Sequence, residues 1–189
     1  MDEFLKTIDE LKQENINLKA KITTLESQLE DVEQYSRLNS VEIFGVPEGK
    51  NEDTYEVVKN IGVALDLTVT RGSIDVCHRL GRPAGGSEGR PRGIIVKFVR
   101  REHKIKFLAK RKVKRNFSTQ HLGFEQPAQP VYINENLSPG RRKLYAAARE
   151  AKKTRKYTYL WIQNGNILMR KDQESSVVRI ASMDDLDGL

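Results

Sequence analysis

The sequence predicts an α+β protein in three parts: an N-terminal coiled-coil helix over 1–38, a split β-α-β module over 39–125, and a small α/β module with a hairpin over 126–189. Three observations predict it. Apolar residues recur in steps of four and three through residues 4–32. From Asn39 onward strand-like runs alternate with helical stretches, and near the C-terminus an Asn164-Gly165 pair separates two apolar runs.

The first part is a heptad repeat. Ile8, Asn15, Ile22 and Leu29 fall at a, while Phe4, Leu11, Leu18, Leu25 and Val32 fall at d, with no glycine or proline among them. In a parallel pair Glu14 at g would face Lys19 at e of the partner, and Lys21 would face Glu26, so parallel alignment is favoured. Asn15 at a sacrifices some stability to fix register and leans towards two strands. We therefore expect self-association, as a parallel dimer or trimer, through Ile8, Leu11, Asn15, Leu18, Ile22, Leu25 and Leu29.

In the second part, 41–46 (VEIFGV) is a strand closed by Pro47 and Gly49. Asp53 can cap a helix to about Leu65, with Val57, Val58, Ile61, Ala64 and Leu65 on one face. Strands over 74–80 and 93–99 flank the loop GRPAGGSEGRPR, whose glycines and prolines forbid regular structure. A second helix is expected over 101–112, with Ile105, Leu108 and Ala109 inward. A further strand, near 116–120 or at 131–133, would complete a split-βαβ sandwich.

Gln126-Pro127-Ala128-Gln129-Pro130 reads as a linker into the third part. Ser138 then Pro139 is the favoured order for starting a helix, here over 140–154, with Leu144, Tyr145, Ala147, Ala148 and Ala151 on one side. The hairpin 157–163 and 166–170 follows, then a strand near 177–180 and an acidic end, 182–189, expected as a frayed turn. Tyr157, Tyr159 and Trp161 alternate, which predicts a shared face. Core packing is preferred for them over stacking on bases.

Charge is segregated more sharply than the net +7 suggests. Residues 1–40 hold nine acids against five bases, 71–115 hold fifteen bases against three acids, and 141–156 hold eight bases against one acid. Two dense cationic segments in one small chain point to a polyanion, held through counterion release. The candidate phosphate-binding residues are Arg79, Arg82, Arg90, Arg92, Lys97, Arg100, Arg101, Lys104, Lys110 and Arg111 in the first cluster. Arg141, Arg142, Lys152, Lys153 and Arg155 form the second. Gly81, Gly85, Gly86 and Gly89 supply a pliable backbone to the loop between the strands.

Chemistry of the chain's own is not expected. Cys77 and His78 are adjacent on a strand and point to opposite faces, so they make no nucleophile and base pair. Glu42, Asp66 and Asp75 are scattered, a single cysteine supports no zinc site, and no GK[ST] phosphate loop is present. We expect no enzyme, cofactor, metal or small-molecule substrate. With no apolar run near the ~20 residues that span a bilayer, and no secretory layout at the N-terminus, no membrane role is expected and an intracellular location, nuclear or cytoplasmic, is.

Two stretches carry a family resemblance. VYINENLSPGRRKLYAAAREAKKTRKYTYLWIQNGNILMRK resembles the C-terminal domain of the baculovirus few-polyhedra (FP) protein family, a type common also in insect genomes. Its specific parts are 133–137 (INENL) before a basic helix, then Trp161, Asn164-Gly165, Ile167 and Arg170-Lys171. LEDVEQYSRLNSVEIFGVPE, leaving a heptad for a strand, is similar to that family and to the first open-reading-frame protein of LINE retrotransposons. The resemblance implies a coiled coil, an RRM-like domain and a small C-terminal domain that close together around single-stranded RNA or DNA. An orthodox RRM stacks bases on aromatics of its central strands. The strands here offer Ile94, Val96 and Glu42 instead, so contacts by basic residues to the backbone are expected. The other class of function is a structural or assembly protein whose basic surface meets acidic partner proteins.

Overall fold

A computed structural model describes residues 2–81, 90–125 and 127–189 of the chain. Helix α1 (Asp2–Arg37) runs unbroken for 36 residues, about 54 Å at ~1.5 Å per residue. Phe4, Leu11, Leu18, Ile22, Leu25, Leu29 and Val32 of its heptad row are each more than half exposed. Asn15 is exposed as well, and only Ile8 is partly covered. Among the described residues, no helix is long and apolar enough to cross a membrane.

Five elements follow in the predicted order: β1 (Ser40–Phe44), α2 (Thr54–Ala64), β2 (Ile74–Arg79), β3 (Ile94–Phe98) and α3 (Arg101–Val113). Asp53 caps α2 by accepting a hydrogen bond from the Tyr55 N–H. The completing strand is β4 (Tyr132–Glu135), antiparallel to β1, so this sheet continues past residue 125 into the segment assigned to the C-terminal module. The segment near 116–120 instead forms a short 3-10 turn over Thr119–Leu122. Strand order is β2-β3-β1-β4, with α2 and α3 on one face. Val41, Ile43, Val58, Ile61, Val96, Phe98 and Phe107 form the core between sheet and helices.

Helix α3 departs from the expected phase. Ile105 is 48% exposed and Ala109 is exposed, while Lys104 and Phe107 are buried and Leu108 packs beside them. The inward stripe contains a lysine, so ranking side chains by polarity alone rotates the helix the wrong way. What lets Lys104 turn inward is the Glu135 carboxylate of β4, 2.9 Å from its Nζ.

The second layer is a three-stranded antiparallel sheet, β5 (Tyr159–Gln163), β6 (Asn166–Arg170) and β7 (Val178–Ile180), covered on one face by α4 (Pro139–Thr154) and α5 (Met183–Asp187). Leu144, Ala148, Ile167, Met169, Ile180 and Leu186 form its core. Asn164 and Gly165 have φ of 51° and 74°, the pair of left-handed residues that a two-residue type I′ hairpin needs. The acidic end is a helix rather than a frayed turn, because the Ser182 and Asp185 side chains form a reciprocal capping box. Tyr157 lies before β5 begins, outside its alternation, and packs on the core, whereas Tyr159 and Trp161 belong to neither core cluster.

Candidate nucleic-acid interface

Many of the candidate cations are occupied inside the fold. The side chain of Arg79 is 5% exposed. Its guanidinium donates to Glu52 Oε2 at 2.9 Å, to the Val46 and Pro47 carbonyls at 2.9 Å, and to the Arg92 carbonyl at 2.7 Å. Arg92 pairs with Glu48 and donates to the Gly81 carbonyl at 3.0 Å. These bonds hold both carboxylates, Glu52 and Glu48, below the usual carboxylate range. Lys97 meets Asp75 at 2.9 Å on the surface. Lys104 is the buried partner of Glu135, and Lys153 pairs with Glu150 at 2.9 Å on the helix surface.

Arg141 and Arg142, expected on phosphate, instead join α4 to the rest of the molecule. Arg141 donates to Asp31 Oδ1 at 2.8 Å and to the Gly165 carbonyl at 2.6 Å, with Glu30 3.8 Å away. Arg142 pairs with Glu42, and its Nε donates to the Leu137 carbonyl at 3.1 Å. Burial pushes the Glu42 carboxyl up, and Arg142 and then Arg37 pull it back. Gln34 of α1 donates to the Asn136 carbonyl at 3.1 Å and accepts from the Ser138 N–H at 3.0 Å. Glu135 accepts the N–H groups of Asn164 at 3.0 Å and Gly165 at 2.8 Å. The end of α1, the end of β4, the start of α4 and the tip of the hairpin thus meet in one polar junction. Arg155 closes on the chain end, donating to the Asp187 carbonyl at 3.2 Å.

The remaining candidates face water. Arg90, Arg100, Arg101 and Lys110 are exposed and form no ion pair with a described residue. Lys112, Arg115, Lys143 and Arg149, which were not singled out, share that condition. Lys152 is half-buried without an acidic partner, and Arg111 donates only to the Lys114 carbonyl at 3.4 Å. The unpaired cations therefore concentrate on α3 and its two ends and on the outer side of α4. Arg82, with Gly85, Gly86 and Gly89, lies outside the described residues.

The open face of the four-stranded sheet differs from expectation. Ile94 and Val96 are completely buried against the helices, because strand alternation turns their neighbours Ile95 and Lys97 to the other side. On that side Phe44 of β1 stands directly across from Tyr132 of β4. Tyr132 is 52% exposed. With Arg90, Pro91 and Pro130 these two rings line an open cleft of about 530 Å³. Gly93 belongs here because a Cβ on it would lie 2.7 Å from the Phe44 ring. Sequence reasoning missed the pair, since only the register of strands 88 positions apart brings Phe44 and Tyr132 together. Aromatic faces beside an arginine suit bases and their phosphates. Among the described residues, no group of three or more His, Cys, Asp or Glu could hold a metal ion.

Residues 138–189, which are α4, the three-stranded sheet and α5, match the family model of Baculovirus FP protein domain 2. No curated protein matches the chain.

Proposed function

We infer that the protein binds single-stranded RNA or DNA without catalysis, as an oligomer assembled through α1, mainly by contacts to the phosphate backbone. The observation that carries this reading is the set of exposed cations that form no ion pair with a described acid, Arg100, Arg101, Lys110 and Lys112 at the start of α3 and along it, and Lys143 and Arg149 along α4. Cations already paired gain little from phosphate, whereas these release condensed counterions in full. The split-βαβ sheet with an open, partly aromatic face supports a single strand as the ligand, because unpaired bases can reach such a surface and paired ones cannot.

The exposed heptad row supports self-association, with a parallel dimer or trimer placing several weak sites on one tether. The test is retention of labelled oligonucleotides over a salt series. If about six phosphates are neutralised, log affinity falls with a slope near −4 on a single strand, and binding that ignores salt refutes the reading. A second reading, an assembly protein that meets acidic proteins, is favoured by the internal pairing of Arg79, Arg92, Arg141 and Arg142, which shortens the cationic surface. Titrating purified protein against a labelled oligonucleotide separates the two.

A further inference from the structure

We propose that the outer face of the C-terminal sheet is a nucleobase platform, with Tyr159 and Trp161 as the stacking surfaces and Arg170 and Arg179 as the flanking cations. It deepens the nucleic-acid reading, on which it rests, by naming where unpaired bases are held. Strand register builds the face. Leu160 and Met169 are cross-strand partners on the core side, so Tyr159 with Arg170, and Trp161 with Leu168, must share the opposite side, where Arg179 is the next neighbour of Leu168. None of these five residues joins a core cluster; Tyr159, Trp161, Leu168 and Arg170 are partly exposed where they pack side by side, and Arg179 is exposed.

The face is built for anions with flat rings. The Arg170 guanidinium lies over the Tyr159 ring, 4.7 Å from its centroid, and its buried Nε has no hydrogen-bond partner. Arg179 is exposed. Asp185, whose carboxyl Arg179 helps to hold below its usual range, is engaged by the N–H groups of Ala181 and Ser182 at 2.7 and 2.9 Å. The three strands, YLWIQ, NILMR and VRI, contain no acid. Two aromatics at i and i+2 are separated by about 6.7 Å, roughly twice the ~3.4 Å rise per nucleotide of a stacked strand. Successive bases must therefore splay apart to use both rings, which a single strand does readily and a duplex does not.

Trp161 is the only tryptophan of the chain, so its fluorescence reports the platform directly. Full-length protein is titrated with a fluorescein-labelled oligothymidylate and with an abasic deoxyribose-phosphate oligomer of equal length, following anisotropy and tryptophan emission together. The expected result is that both oligomers bind and only the base-bearing one quenches Trp161. Trp161→Leu should weaken oligothymidylate binding about tenfold, within the range measured for one lost stack, while Trp161→Phe keeps most of the affinity. Anisotropy that rises with unchanged emission, equal quenching by the abasic oligomer, or equal affinity of the Phe and Leu variants overturns the platform and leaves nucleic-acid binding standing. No anisotropy change with either oligomer overturns both, and quenching by oligoglutamate as strong as by oligothymidylate reassigns the face to acidic proteins.

Discussion

Glu135→Ala tests whether the polar junction holds the two modules together. The Lys104 side chain is 1% exposed and that of Glu135 is 11% exposed, with 2.9 Å between Nζ and Oε2. Removing one partner of a buried pair leaves an uncompensated charge and costs about 3–5 kcal/mol. Because Glu135 retains some contact with water, the lower end applies. The Asn164 and Gly165 N–H groups lose their acceptor too; Asn164 is exposed and can turn to water, whereas Gly165 is buried, which adds about 1 kcal/mol. The expected loss is about 3–4 kcal/mol, read as a fall of about 1.5–2 M in the urea midpoint for an m-value of ~2 kcal/mol/M. Circular dichroism and Trp161 emission follow the transition. The double variant Lys104→Met with Glu135→Gln should recover to within about 1 kcal/mol of the parent, because neither charge is then buried alone. A single variant that costs less than ~1 kcal/mol, or a double variant no better than the single, refutes the reasoning.

Glu52→Gln separates a charge effect from packing. Arg79 holds the Glu52 carboxyl below its ordinary value, so the ionised form stabilises the fold above the unfolded carboxylate range, and that contribution is lost as pH falls through the depressed folded value. The gap in urea midpoint between parent and variant should be full at neutral pH and close in acid, and a gap independent of pH contradicts this. Arg100→Ala, Arg101→Ala and Lys110→Ala should leave the melting temperature within about 2 °C, since surface changes away from special features stay within ±0.5 kcal/mol. Each that touches phosphate lowers the salt slope by about 0.7 on a single strand. Arg79→Ala, by contrast, should lower the melting temperature markedly, since it strips partners from a partly buried carboxylate and three carbonyls. Asn15→Leu should raise the thermal stability of the helix assembly while broadening its strand number, as read by light scattering, and a monomeric parent removes the basis for that expectation.

Legibility from sequence followed the range of the interactions. The long helix α1, the Asp53 and Ser138 caps and the Asn164-Gly165 turn all rest on residues a few positions apart, and all formed where expected. On sequence alone two segments fit the completing strand equally, because its partner, β1, is nearly 90 positions away. The inward phase of α3 was misread since Lys104 is made apolar in effect by Glu135, an acid on another element. Counting cations overstated the unpaired positive charge for the same reason. Arg79, Arg92, Arg141 and Arg142 find carboxylates between 27 and 110 positions away, and composition records such residues as free charge.

The last two turns of α1 do double duty, being the base of the rod and a wall of the head. Glu30, Asp31 and Gln34 grip α4 and the chain leading into it, and Leu38 and Asn39 lead into β1 without a spacer. These contacts couple the direction of the rod to that of its head. Copies bundled along the heptad row would therefore hold their heads like spokes at one set azimuth, and a change in strand number would alter the angle between neighbouring heads as well as their count.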